Sequence, residues 1–190
     1  MARQSMREEI VDAAIDQFHT YGFNAAGVKD ITDAAGVPKG SFYNHFESKE
    51  ALAVIALERY GSTRRLAELA ETSVPALRRL REHFAFLREE NESRDYTRGC
   101  LIGDFGNEIS DHSPVIREAV EASLRTWAAA IAGAIADGQR EGTIRASIDP
   151  NITARFIIAA WEGSLTTMRA ERTSTALDEF FSVVFDSLLA

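Results

Sequence analysis

Between Val28 and Phe46 the chain reads V-K-D-I-T-D-A-A-G-V-P-K-G-S-F-Y-N-H-F, and here residue types and spacing could do chemistry. Stepping 100° per residue from Lys39 places Lys39, Gly40, Tyr43, Asn44 and Glu47 on one arc of a helix. Phe42 and Phe46 fall on the opposite arc with Val37. One face is therefore core, and the other offers an ammonium, an open backbone, a phenol and an amide. Lys39 suits a phosphate or a guanine edge, Asn44 an adenine edge, and the Tyr43 hydroxyl a phosphate. His45, at the rim, could also donate to a phosphate. Two short amphipathic helices joined by a glycine turn can equally be plain scaffold, with Tyr-Asn-His as ordinary surface.

A second candidate is Cys100, the single cysteine. It follows Arg98-Gly99 and opens a short helix, where a thiol pKa is lowered, which suits a sensor of electrophiles or oxidants. The other reading is a small hydrophobe packed in the core. Cys100 and His112 are the one pair that could act as nucleophile and base. They lie near opposite ends of a short helix, so direct contact is not expected. No glycine-rich nucleotide loop is present. His19, His45, His83 and His112 are scattered without ligand spacing, so neither a metal nor another cofactor is expected. Phe105, Trp127 and Trp161 are candidate walls of a small-molecule pocket, with Asn107, Glu108, His112 and Glu162 as polar anchors. An aromatic at helical spacing reads equally well as core.

Composition bounds these possibilities. The chain has 190 residues, with 45% hydrophobic and 26% charged side chains, ordinary for a globular protein with one substantial core or a head on a larger body. No apolar run approaches a membrane span. The opening residues lack the apolar core of a secretion signal, and one cysteine excludes an internal disulfide, so a reducing cytoplasm is expected. The net charge of −8 opposes nucleic acid binding. The first fifty residues do not reverse this, since five cations face eight acids there, a net of −3. A nucleic acid partner must rest on where the few cations sit.

The elements that would position these groups are helical throughout, because Ala, Leu, Glu and Arg dominate and no stretch alternates like a strand. The first helix is predicted over 4–21, with Met6, Ile10, Ala13, Ala14, Phe18 and Tyr21 inward and Gly22 just beyond its end. Short helices over 28–35 and 39–46 follow, then a long one from the cap Ser48 to about Glu71. A fifth helix starts at Pro75, residues 89–99 read as a polar loop, and a short helix covers 100–110. Ser113-Pro114 and Asp149-Pro150 open two long helices, the second over 150–170, and a last helix runs from Ser174 to the end. The division falls near residue 50, giving 1–49 as a head and 50–190 as a body.

The two short helices with Gly36 at their turn have the form of a helix-turn-helix, whose second helix enters the major groove. The run I-V-D-A-A-I-D-Q-F-H-T-Y-G-F-N-A-A-G-V-K-D-I-T-D-A-A-G-V-P-K-G-S-F-Y-N-H-F-E-S-K-E-A-L resembles the N-terminal signature of the TetR family of bacterial regulators, and the resemblance covers about Arg7–Leu52. The resemblance implies DNA contacts at Lys29, Pro38, Lys39, Gly40, Tyr43, Asn44 and His45, with Lys49 clamping a phosphate at the start of the fourth helix. One departure stands out. Ala26-Gly27 replaces the hydroxyl that often precedes the second helix, which puts a capping bond and a phosphate contact in doubt. The resemblance further implies a homodimer on a palindromic operator, released by an unknown small-molecule effector, and no catalytic activity. The G-C-L around Cys100 resembles that of a subgroup in which cysteine sensing is known.

In the body, the eighth helix carries a small-residue stripe of Phe156, Ala160, Gly163 and Thr167 beside a bulky one of Ile157, Trp161, Leu165 and Met168. The ninth adds Phe180, Phe181, Val184 and Phe185. Helices apolar on most sides are buried on most sides, which suggests a four-helix dimer interface. Both being internal core is the alternative. A helical interaction protein that no longer binds DNA is a further rival, favoured by the acidic charge and Ala26-Gly27.

Overall fold

The computed structural model describes residues 5–190, so the predicted first helical residue, Gln4, lies outside them. The described residues form nine α-helices and no strand: α1 (Met6–Ala25), α2 (Val28–Ala34), α3 (Lys39–Phe42), α4 (Lys49–Ser62), α5 (Ala76–Glu92), α6 (Leu101–Glu108), α7 (Pro114–Glu141), α8 (Pro150–Glu171) and α9 (Thr175–Val183). They divide into two compact units. One takes the chain up to Thr63 with Cys100–Ser123, and the other takes Arg64–Gly99 with Leu124–Ala190.

In the first unit, α1 starts at Ser5, whose Oγ accepts the Glu8 N–H, with Glu8 and Glu9 set against the positive end of the helix. Its buried residues are Ile10, Val11, Ala14, Phe18, His19 and Phe23. The predicted stripe also held Met6 and Tyr21, but both are exposed. For Tyr21 the reason is Gly22, whose φ of +81° breaks the helix and turns Phe23 inward in its place. Phe105 of α6 packs edge-on against both Phe18 and Phe23, with ring centroids 5.4 and 5.9 Å away.

Two boundaries differ from the sequence expectation for stated reasons. α4 stops at Ser62 rather than near Glu71, because the hydroxyls of Ser62 and Thr63 donate to the carbonyls of Arg59 and Tyr60. Arg65 then takes a left-handed conformation, and a 3₁₀ turn follows over Leu66–Ala70. α5 runs on to Glu92 through part of the predicted loop. Its polar end is held by the i,i+4 pair Arg88–Glu92 at 2.6 Å, and Asn91 Nδ2 donates to the Leu87 carbonyl. The polarity there marks a helix face.

The second unit is built around Phe84 of α5. Its ring lies 5.3 Å from Trp161 of α8, 5.0 Å from Phe180 of α9 and 6.2 Å from Trp127 of α7. A buried arginine, Arg79, reaches Asp137 of α7 at 2.9 Å and the Leu69 carbonyl, so the 3₁₀ turn, α5 and α7 are joined by one guanidinium. α8 begins as the sequence predicts: the Asp149 carboxylate accepts the N–H groups of Asn151 and Ile152 ahead of Pro150 at the first position.

Candidate nucleic-acid interface

The helix-turn-helix is assembled from inside outward. Ile31 of α2 and Phe42 of α3 are fully buried, and Phe46 nearly so. Thr32 is also fully buried, and its hydroxyl donates to the carbonyls of Val28 and Lys29 at 3.0 Å. Its own carbonyl accepts the Val37 N–H, which closes the turn between the helices. That closure requires the left-handed conformation, and Gly36 supplies it at φ +68°.

α3 is shorter than the eight residues predicted. After Phe42 the chain winds more tightly, with the N–H groups of Asn44 and His45 donating three residues back to Ser41 and Phe42. The exposed row survives this change. Pro38, Lys39, Gly40, Tyr43, Asn44 and His45 all face solvent, and Tyr43 is 64% exposed. A Cβ added at Gly40 meets nothing within 4 Å, so the backbone there is open to an approaching surface. Lys29 is exposed on α2 and pairs with Asp33, which raises its pKa through that hydrogen bond and charge. The missing hydroxyl before α2 is offset from the other side, since the Asp30 carboxylate accepts the Gly27 N–H at 3.2 Å.

Lys49 does not stand where a phosphate clamp was expected. Its ammonium is turned inward and donates to the carbonyls of Phe23 and Ala26 at 2.8 and 3.3 Å, 4.2 Å from the centre of the Phe23 ring. Burial lowers its pKa, opposed by the charge of Glu108. The physical reason is that the last carbonyls of α1 lack helical partners, and a cation at the start of α4 satisfies them.

Glu108, one of the residues read as a pocket anchor, completes the same junction. Its two carboxylate oxygens accept the N–H groups of Phe23 and Asn24, each at 2.8 Å. Any side chain at Gly22 would collide with it, since a Cβ there would sit 2.6 Å from Glu108 Oε2. The segment leading into the helix-turn-helix is thus held between a carboxylate from α6 and an ammonium from α4. Nothing in the local spacing of Glu108 marked this role.

The other candidate residues fall as follows. Cys100 is buried at the start of α6 and makes no capping bond. Phe105 belongs to the core of the first unit with Phe18 and Phe23. Trp127 and Trp161 share the Phe84 cluster of the second unit. Asn107 and His112 are exposed, and Glu162 is half-buried. His112 at the surface and Cys100 in the interior do not form a nucleophile–base pair. His83, which sequence reasoning left aside, is buried and accepts the Trp127 Nε1–H at 2.9 Å. Among the described residues no group of three His, Cys, Asp or Glu is arranged to hold a metal ion.

The proposed dimer residues separate into two sets. On α8, Phe156 is 55% exposed, Gly163 and Thr167 face solvent, and Ala160 is half-buried. Ile152, 61% exposed, extends that row toward the helix start. On the last helix, Phe180, Val184 and Phe185 lie inside the chain's own core, and only Phe181 remains half-exposed. They were expected at a dimer seam, but the ring of Phe84 already occupies Phe180 and Phe185.

An all-helical chain that exposes a polar second helix over a buried Ile31–Phe42–Phe46 seam belongs to the helix-turn-helix class of DNA-binding proteins. Residues 10–54 match the family model described as bacterial regulatory proteins, tetR family, and residues 76–184 match the tetracyclin repressor-like C-terminal domain. The chain is 40% identical over 192 residues to the HTH-type transcriptional repressor DhaR of Mycobacterium sp. (strain GP1), covering 100% of this chain and 95% of that protein. Among solved structures, it superposes on a TetR regulatory protein from Rhodobacter sphaeroides with a TM-score of 0.89 and 28% identity, over 97% of this chain and 99% of the other. The reduced form of NemR from Escherichia coli gives 0.83 at 26% identity, over 98% of both chains. The protein belongs to the TetR family of bacterial transcriptional regulators. It is a DNA-binding regulator and not an enzyme.

Two predictions follow from these contacts. Glu108→Ala should lower stability by about 1 kcal/mol, because the part-buried Phe23 N–H loses a charged acceptor while the exposed Asn24 N–H can turn to water. Native-state hydrogen exchange at Phe23 and Asn24 should accelerate by more than at other amides of α1. For His83, burial and then the Arg64 charge push the pKa down to about 4 from the ordinary 6.5. A depressed histidine contributes nothing against folding above pH 6.5 and destabilises as pH falls through that value toward 4. Urea titrations at pH 7 and pH 5 should therefore differ by about 2 kcal/mol more in the wild type than in His83→Gln.

Proposed function

We propose that the protein is a homodimeric repressor that holds a palindromic operator through α3 and is released from it by a small-molecule effector. The observation that supports the reading best is the exposed row over α3 and the turn after it. Every residue on the buried side of this segment is apolar, while the outward side carries Lys39, Gly40, Tyr43, Asn44 and His45 next to Pro38. Lys39 and Asn44 read base edges, and Tyr43 and His45 fix the register on phosphates. Lys29 adds a phosphate contact by exchanging its exposed Asp33 partner, a pair weak enough in water to give way. Lys49 sets the pose of the segment from behind and makes no DNA contact of its own.

Residues 1–49 act as the DNA-binding head and residues 50–190 as the dimerisation and effector body. The exposed α8 row of Ile152, Phe156, Gly163 and Thr167, with half-buried Ala160 beside it and Phe181 on the last helix, is the surface for a second copy. Small residues let two helices approach closely, and Phe156 is a large apolar side chain with no cover in one chain. Two heads one turn of DNA apart would then read the two half-sites. The repressor named DhaR supports repression as the direction of control, and the family supports release by a ligand that binds the two states unequally. A cytoplasmic location accords with this role. Among the described residues no helix is long and apolar enough to cross a membrane.

Cys100 is packing in this reading, since its side chain is buried at the start of α6. The NemR structure is of a reduced form, which makes thiol chemistry the second reading. Operator release by an oxidant that survives Cys100→Ser would remove it.

Selection from random duplex DNA should return a palindrome. Lys39→Ala and Tyr43→Ala should each weaken binding to it by at least tenfold without altering the dimer, as read by electrophoretic mobility and sedimentation. Gly40→Glu should abolish binding at an unchanged melting temperature, because its side chain projects into open solvent. Retained binding in all three would overturn the α3 assignment. Phe156→Asp should shift sedimentation from dimer to monomer and cost operator affinity with it.

A further inference from the structure

We propose that His83 is the polar anchor of a ligand site in the second unit, where its Nδ1–H donates to the oxygen of a small, uncharged, largely apolar molecule of the ketone, aldehyde or ester class. The inference rests on the reading that the body binds an effector, and it names which group would meet that effector.

Trp127 fixes the tautomer of His83. An indole N–H can only donate, and it lies 2.9 Å from His83 Nε2, so Nε2 must be the acceptor. His83 is 4% exposed and remains neutral through the physiological range, for burial and the Arg64 charge both disfavour its cation. A neutral imidazole that accepts at Nε2 carries its proton at Nδ1. No protein group among the described residues receives that proton. Buried donors are almost always paired, and an unpaired one weighs against folding.

The neighbouring cation and the Asn91 amide nitrogen are donors and cannot receive that proton. Arg64 pairs with Glu90, and Asn91 donates to the Leu87 carbonyl within α5. What surrounds His83 is aromatic: Phe84 at 5.2 Å and Trp127 at 5.9 Å between ring centroids, with Trp161 and Phe180 packed on the far side of Phe84. A single donor in such surroundings selects a molecule with one acceptor and apolar bulk.

The test uses full-length protein labelled with ¹⁵N-histidine, with butanone as the probe and 2-methyl-1-butene as its isostere in which CH₂ replaces the oxygen. At pH 7 the long-range ¹H–¹⁵N spectrum should show His83 as the Nδ1–H tautomer, and butanone should move that proton downfield. Butanone should bind about fivefold to tenfold more tightly than the alkene. That preference should vanish in His83→Met, whose thioether sulfur can accept weakly from Trp127 and which has no donor. Should His83→Met fail to fold, His83→Asn supplies the complementary case: its amide keeps a donor near the Nδ1 position, and the preference should persist. An Nε2–H tautomer, equal affinity for the two probes, no binding of butanone, or a bound water on Nδ1–H that butanone leaves in place would each overturn the proposal. None of these outcomes touches the regulator reading, which fails separately if no operator is selected.

Discussion

The DNA-reading segment depends on a charge-bracketed backbone junction. At the end of α1 the chain must reverse without a regular helix to satisfy its amides and carbonyls. Glu108 takes two of the N–H groups and Lys49 takes two of the carbonyls, so the peptide between Phe23 and Asn24 is held by opposite charges at its two ends. Gly22 is what lets the carboxylate approach, because every other residue would push it away. The orientation of α2, and through Gly36 that of α3, follows from this arrangement. A surface of a few polar side chains can read DNA only if its backbone does not wander. Here the restraint comes from groups eighty-five and twenty-six residues away in sequence.

That separation explains what the sequence disclosed and what it withheld. The helix-turn-helix was legible because its signals are local: Gly36 at a turn, Phe42 and Phe46 one helical turn apart, a cap at Ser48. The starts of α7 and α8 were legible for the same reason, through Ser113-Pro114 and Asp149-Pro150. Helix ends were less so. The Ser62 and Thr63 hydroxyls that stop α4 are competent helix residues until their side chains turn back onto the carbonyls. The charged end of α5 reads as loop if polarity is equated with disorder, although its pairs are helical neighbours. Lys49 and Glu108 were legible as charges and not as partners, because no spacing rule links residues that meet only in the fold.

The body shows a comparable division. An apolar pattern announced that α8 and the last helix are buried on several sides, but it did not say by what. Phe180, Val184 and Phe185 turn toward Phe84, and the face left over is the row from Ile152 to Thr167. His83 was passed over because a lone histidine on an amphipathic helix carries no pattern. Its interest comes from the geometry of one indole, which decides which nitrogen bears the proton.

The scarcity of cations around α3 has a consequence for how such a protein would find its site. From Val28 to Glu47 only Lys29 and Lys39 carry positive charge, and the chain as a whole is acidic. Attraction to arbitrary duplex comes from phosphate neutralisation and the counterions it frees, so little of it is available here. On the proposed reading, binding would then lean on base edges, which reward the right sequence and offer little elsewhere. A regulator built this way spends little of its time parked on bulk chromosome, so a modest number of copies suffices to keep a rare target occupied.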